Sequence, residues 1–118
     1  MAPRSSVPLH VDVVAGLDPA LVRVRGDLDV ESAPVLRCAL ASLPHRSVEV
    51  DLAEVGFIDS SGINALLVHL RECQLAGGSM TVTHASSFVR RVLQMLGVDG
   101  ILTHRQEPPE GEGPRPGL

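Results

Sequence analysis

The sequence predicts a single α/β domain, a mixed β-sheet with helices packed on it, its elements in the order ββαβαβα. Three observations carry this. Short apolar runs with period-two alternation take turns with stretches of helical periodicity. The strand–helix–strand succession occurs twice, and such crossovers join parallel strands with a right-handed connection. The first two strands are separated by a turn too short for a crossover, so they add an antiparallel pair. The pattern leaves open whether the helices share one face. The chain of 118 residues suits one domain. We expect an N-terminal extension over 1–8, the domain over 9–104, and a disordered tail over 105–118, where Pro, Gly and Glu crowd out apolar periodicity.

Each element has its own signal. Leu9, Val11 and Val13 alternate with His10 and Asp12, which is strand spacing. Gly16-Leu17-Asp18-Pro19 reads as a turn. Ala20 to Arg25 is a second strand, with Val22 and Val24 on one face, Arg23 and Arg25 on the other, and Gly26 to break it. Leu36, Ala39, Leu40 and Leu43 follow helical spacing, with Ser32 as cap, Pro34 in the first turn and Pro44 as stop. Val48, Val50 and Leu52 form a third strand, after which Phe57 and Ile58 lead into a turn. Ile63, Leu66, Leu67 and Leu70 stripe a second helix that Gly77-Gly78 ends. Met80 and Val82 belong to a fourth strand. Phe88, Val92, Met95 and Leu96 line a third helix, capped by Ser86 or Ser87 and ended by Gly97.

Composition narrows the function. Phe57 and Phe88 are the only aromatic residues, so the 44% hydrophobic content must build an aliphatic core. Without aromatic platforms, base stacking is disfavoured. A net charge of −4 argues against a nucleic-acid backbone binder. No stretch approaches the ~18 apolar residues of a membrane span, and no signal peptide is apparent, so a cytoplasmic protein is expected. Cys38 and Cys73 form no CxxC pair and are expected as reduced, partly buried thiols. His10, His45, His69, His84 and His104 are scattered without metal-ligand spacing and are expected at surface or boundary positions. No metal or cofactor is expected.

The chemistry concentrates in Phe57-Ile58-Asp59-Ser60-Ser61-Gly62-Ile63, where a strand meets a helix through two hydroxyls, a carboxylate and a glycine. Ser and Asp cap helices because their oxygens accept the free N–H groups of the first turn. Ser60 is expected as the structural cap. Gly62 is expected to permit close approach of another backbone. Asp59 reads either as a turn former or as a group that orients Ser61 and meets a partner. Asp27 and Asp29 read either as solvated loop carboxylates or as neighbours of the hydroxyl turn. Arg90 and Arg91 read either as a solvated helix face or as contacts for an acidic partner surface. A hydrolase with Ser61 as nucleophile has little support, since there is no G-x-S-x-G elbow and no P-loop.

These residues resemble the STAS domain family, and within it the bacterial anti-sigma factor antagonists. Val24-Arg25-Gly26-Asp27-Leu28-Asp29 is similar to the family's G-[DE]-L-D segment. Val50 to Gly62 is similar to its signature strand and D-S-[ST]-G turn, and Arg90 to Val98 to its last helix. Asn64 stands where many members have a small residue. The resemblance implies a binding protein, not an enzyme. It implies Ser61 as phosphoacceptor for an anti-sigma factor that is also a serine kinase. The unphosphorylated form binds that factor and frees a sigma factor, and a serine phosphatase resets the switch. Asp27, Asp29, Asp59, Ser60, Ser61, Gly62 and Asn64 are the expected partner-binding residues. The alternative is a STAS docking subunit of a transporter or signalling scaffold without a phospho-switch.

Overall fold

The computed structural model describes residues 7–14, 18–43 and 47–103. The elements are β1 (His10–Val14), β2 (Ala20–Leu28), α1 (Ala33–Ala41), β3 (Ser47–Ile58), α2 (Ser60–Leu75), β4 (Ser79–Ala85), α3 (Ser87–Met95) and α4 (Asp99–Thr103). They form a four-stranded sheet in the order β1-β2-β3-β4. β1 and β2 pair antiparallel, and β2–β3 and β3–β4 pair parallel. The mixed sheet and element order are those expected, with α4 as an addition. Val98, Ile101 and Leu102 held its signal, and Leu102 is fully buried. Gly16 and Leu17 of the expected turn, the stop at Pro44, and the tail beyond Thr103 lie outside the described residues.

The strands alternate as their sequences demand. Ala20, Val22 and Val24 of β2, Val48, Val50 and Leu52 of β3, and Met80 and Val82 of β4 are buried. Leu36 and Leu40 of α1, Leu66 and Leu70 of α2, and Val89 and Leu93 of α3 join them in the same core. Each such side chain contributes about 1.5–3 kcal/mol when fully buried. Between them, Arg23, Arg25, Glu49, Asp51 and Thr83 of the strands are partly or fully exposed. Neither phenylalanine belongs to the buried core, which is aliphatic as expected.

Two strands run longer than their sequences suggest. β2 does not stop at Gly26 but continues to Leu28. Gly26 sits at φ +103, and a Cβ there would collide with the Pro8 carbonyl, so only glycine fits the crossing. The chain before β1 is strapped at this point. Asp27 N–H donates to the Val7 carbonyl at 3.0 Å, and Val7 N–H donates to Asp27 Oδ2 at 3.1 Å. β3 likewise runs unbroken for 12 residues to Ile58. Its period slips at Ala53-Glu54, both exposed, because the register to β2 shifts between Arg23 and Arg25 and again between Gly26 and Asp27. The extra residues lie on β3 and form bulges. Beyond Leu52, β3 has outrun β4, whose last partner is Ala85.

Five side chains depart from expectation. Cys38 is exposed rather than partly buried, because it faces away from the Leu36–Leu40 stripe of α1. His69 is not at the surface: it is 3% exposed, one turn from buried Leu66 and Cys73 on α2, with Nδ1 3.6 Å from Glu72 Oε1. Of the expected α3 stripe, Phe88, Met95 and Leu96 are exposed, while Val89 and Leu93 face the core.

Both thiols are free, but they differ in reactivity. Burial, and then the Glu72 carboxylate, push the Cys73 thiol up from its ordinary value. The thiolate is the nucleophile, so Cys73 is inert in the fold. Labelling with a thiol reagent at pH 8 is expected to modify Cys38 promptly and Cys73 only on unfolding, giving one fast equivalent by mass. The sign for stability follows. A raised folded pKa means the native state holds its proton longer than the unfolded chain, so stability falls as pH climbs past 9.0, the ordinary value.

Candidate functional site

The site lies where parallel strands β2 and β3 end side by side, with Leu28 registered against Ile58. Such a strand end is where α/β sheets place their binding loops. The β2–α1 loop is built by its own carboxylate. Asp29 Oδ1 accepts from Glu31 N–H at 3.1 Å and Ser32 N–H at 3.0 Å. Ser32 Oγ accepts from Asp29 N–H at 2.9 Å and lies 2.7 Å from the Asp27 carbonyl, to which it donates. The Ser32 hydroxyl therefore ties the loop rather than capping α1, at whose N-cap position it stands without a side-chain cap bond.

The β3–α2 turn leans on this loop. Asp59 N–H donates to the Leu28 carbonyl at 3.2 Å. A Cβ on Gly62 would lie 2.8 Å from that oxygen and 2.7 Å from Leu28 Cγ. The close approach expected of Gly62 is thus present, and its partner is the Leu28 backbone. The cap of α2 is Asp59, not Ser60. Its Oδ1 accepts from Ser61 N–H at 2.9 Å and Gly62 N–H at 3.2 Å. Asp59 has the extended backbone a cap needs, φ −121 and ψ −172, whereas Ser60 is already helical. At the next helix the serine alternatives resolve to Ser86, whose Oγ accepts from Val89 N–H at 3.3 Å.

The expected site residues divide by exposure. Ser60 and Asn64 are exposed, and Ser61 is half-buried at the second position of α2. Asp59 is half-buried and Gly62 buried. Asp27 and Asp29 are not solvated loop carboxylates: they are 5% and 9% exposed. Asp27 and Asp29 flank Leu28, whose carbonyl accepts from Asp59 N–H of the hydroxyl turn. Arg90 is exposed, with Nη2 on the Ala85 carbonyl at 3.2 Å. Arg91 is exposed as well.

Sequence reasoning missed the stacking of Phe57 on Phe88, with ring centroids 5.6 Å apart. The signal was the count itself, since the chain has no other aromatic residue. A concavity of about 560 Å³ on the exposed sheet face, lined by Asp12, Arg23, Arg25, Asp51 and Glu54, is a weaker candidate. Its charges alternate in sign, and Arg25 sits 3.7 Å from Asp12 in an exposed pair worth about 0–1 kcal/mol. Among the described residues, no cluster of three or more His, Cys, Asp or Glu is placed to hold a metal. Among them too, no helix is long and apolar enough to cross a membrane.

This mixed sheet with its helices has a SpoIIAA-like fold. The model superposes on unphosphorylated SpoIIAA, an anti-sigma factor antagonist, with a TM-score of 0.68 at 19% identity, covering 87% of this chain and 94% of that one. An anti-sigma factor antagonist from Mycobacterium paratuberculosis gives 0.69 at 24% identity, covering 80% and 83%. The family model described as MlaB, STAS domain, matches residues 11–103, and the chain belongs to the STAS domain family. In sequence it is 28% identical over 96 residues to the anti-sigma-B factor antagonist of Bacillus subtilis (strain 168), across 80% of this chain and 88% of that protein.

Proposed function

We propose that this protein is an anti-sigma factor antagonist switched by phosphorylation of Ser61. Unphosphorylated, it binds an anti-sigma factor that is also a serine kinase and so releases a sigma factor. Phosphorylated, it does not bind, and a serine phosphatase restores it. It acts in the cytoplasm as a binding protein, and the kinase supplies the base for phosphoryl transfer. The observation that carries this reading is the placement of Ser61: half-exposed, at the start of α2, with its own N–H held by Asp59. A hydroxyl so fixed is easily read by a partner. The relative in Bacillus subtilis, named an anti-sigma-B factor antagonist, points the same way.

The partner-binding residues divide between contact and support. Ser60, Ser61 and Asn64 meet the partner directly. Asp59, Gly62, Asp27 and Asp29 hold the turn and the adjoining loop in the shape that is recognised. The test is to incubate the chain with each kinase-type anti-sigma factor of its source organism and ATP, then map the product by mass spectrometry. Phosphate is expected on Ser61 and absent from Ser61→Ala. Stoichiometric label on Ser60, or on a residue away from α2, overturns the assignment.

A further inference from the structure

We propose that the outward face of α3 is a second docking strip for the same partner that covers the Ser61 turn, and that it receives an apolar surface with an acidic rim. This rests on the reading above and extends it to residues outside the turn. Phe88, Val92, Met95 and Leu96 recur at helical spacing and lie along one side of α3. Val89 and Leu93 fill the core side and Val92 packs partly against it, so Phe88, Met95 and Leu96 are the apolar groups that the core does not use. Phe88 is 43% exposed, Leu96 55% and Met95 77%. Several large apolar groups adjoining on one surface mark an interaction site more often than scattered ones do. Aromatic residues, Met and Arg are the types enriched at such interfaces.

Position and charge choose the occupant. The strip starts at Phe88, which stacks on Phe57, and Phe57 stands two residues before the cap Asp59. From Phe88 to Leu96 it descends about 12 Å at 1.5 Å per residue. Phe57 thus joins the first residue of the strip to the strand that leads into the turn. Arg91 lies three residues after Phe88 and four before Met95, so it borders the strip, and α3 holds no acidic residue. That rim calls for acidic groups opposite. A second copy meeting α3 with α3 would bring no carboxylate from that helix to face Arg91. Residues 104–118 hold one large aliphatic side chain, Leu118, against four apolar side chains in the strip.

The test uses the full chain and each purified anti-sigma factor of the source organism, with affinity measured by calorimetry. Met95→Asp combined with Leu96→Asp changes two exposed side chains and leaves the core intact. This variant is expected to bind at least tenfold more weakly with an unchanged circular dichroism spectrum. Arg91→Glu is expected to weaken binding about fivefold, an effect that shrinks as salt rises. Wild-type affinity in the double variant overturns the strip while leaving the Ser61 switch standing, provided Ser61→Asp still abolishes binding. A dimer in sedimentation velocity that the double variant dissolves assigns the strip to a second copy and overturns it too. Failure of every anti-sigma factor to bind the wild type removes the switch, and the strip with it.

Discussion

Replacing Ser61 by Asp is expected to abolish capture of the anti-sigma factor, weakening it more than a hundredfold, about 3 kcal/mol. The reason lies in how the first turn of α2 is occupied. A helix N-terminus ordinarily welcomes an anion. Here the N–H groups of Ser61 and Gly62 already donate to Asp59 Oδ1. A negative group on Ser61 finds those donors taken and a carboxylate beside it. It therefore stays at the surface, where a closely packed partner must strip its water without offering a counter-charge. A phosphate, with about −1.5 to −2 charges, makes the same effect larger. Calorimetric titration checks this. Ser61→Ala is expected to bind like the wild type, and the melting temperature of Ser61→Asp to move by no more than about 2 °C. Tight binding by Ser61→Asp would end the switch hypothesis.

Gly62→Val is expected to destabilise the fold by about 3 kcal/mol, near the upper end of what overpacking a filled site costs. An added Cβ meets Leu28 Cγ at 2.7 Å, the Leu28 carbonyl oxygen at 2.8 Å and Ile58 Cγ1 at 2.9 Å. The side chains can turn, but the oxygen is backbone and holds Asp59 N–H. Relief requires α2 to lift from the β2 loop, which breaks that bond and opens the core around Leu66. Urea denaturation is the measurement, with Gly56→Ala as control. Nothing lies within 4 Å of a Cβ at Gly56, so its midpoint should stay close to that of the wild type. Equal midpoints for both variants would mean the strand ends are looser than their packing implies.

Much of this was legible in the chain. Period-two runs such as Val48-Glu49-Val50-Asp51-Leu52 can bury one face only as strands, and Ile63, Leu66 and Leu70 only as a helix. Parallel pairing followed from connection length. The misses share one cause, competition between a local signal and a distant contact. Gly26 looked like a strand end because its need for left-handed backbone is visible, while the Pro8 carbonyl that crosses it is not. Ser60 carries the right side chain for a cap but stands one residue inside α2, behind Asp59, whose carboxylate accepts two N–H groups, while the Ser32 hydroxyl is drawn away from α1 by the Asp29 N–H and the Asp27 carbonyl. Asp27 and Asp29 were ambiguous because burial of a carboxylate depends on donors brought by folding, here Val7 and the Ser32 turn. The bulges in β3 left no trace beyond the Ala53-Glu54 slip, which a short strand ending at Leu52 explains equally well.

The stacked pair of phenylalanines gives the molecule an optical property. With no tryptophan or tyrosine, its near-ultraviolet dichroism arises from two rings alone, stacked on each other, one of them on the strand that leads into the hydroxyl turn. In a mixture, tryptophan emission would report on the companion protein without background. The phenylalanine bands would report on this patch without a label.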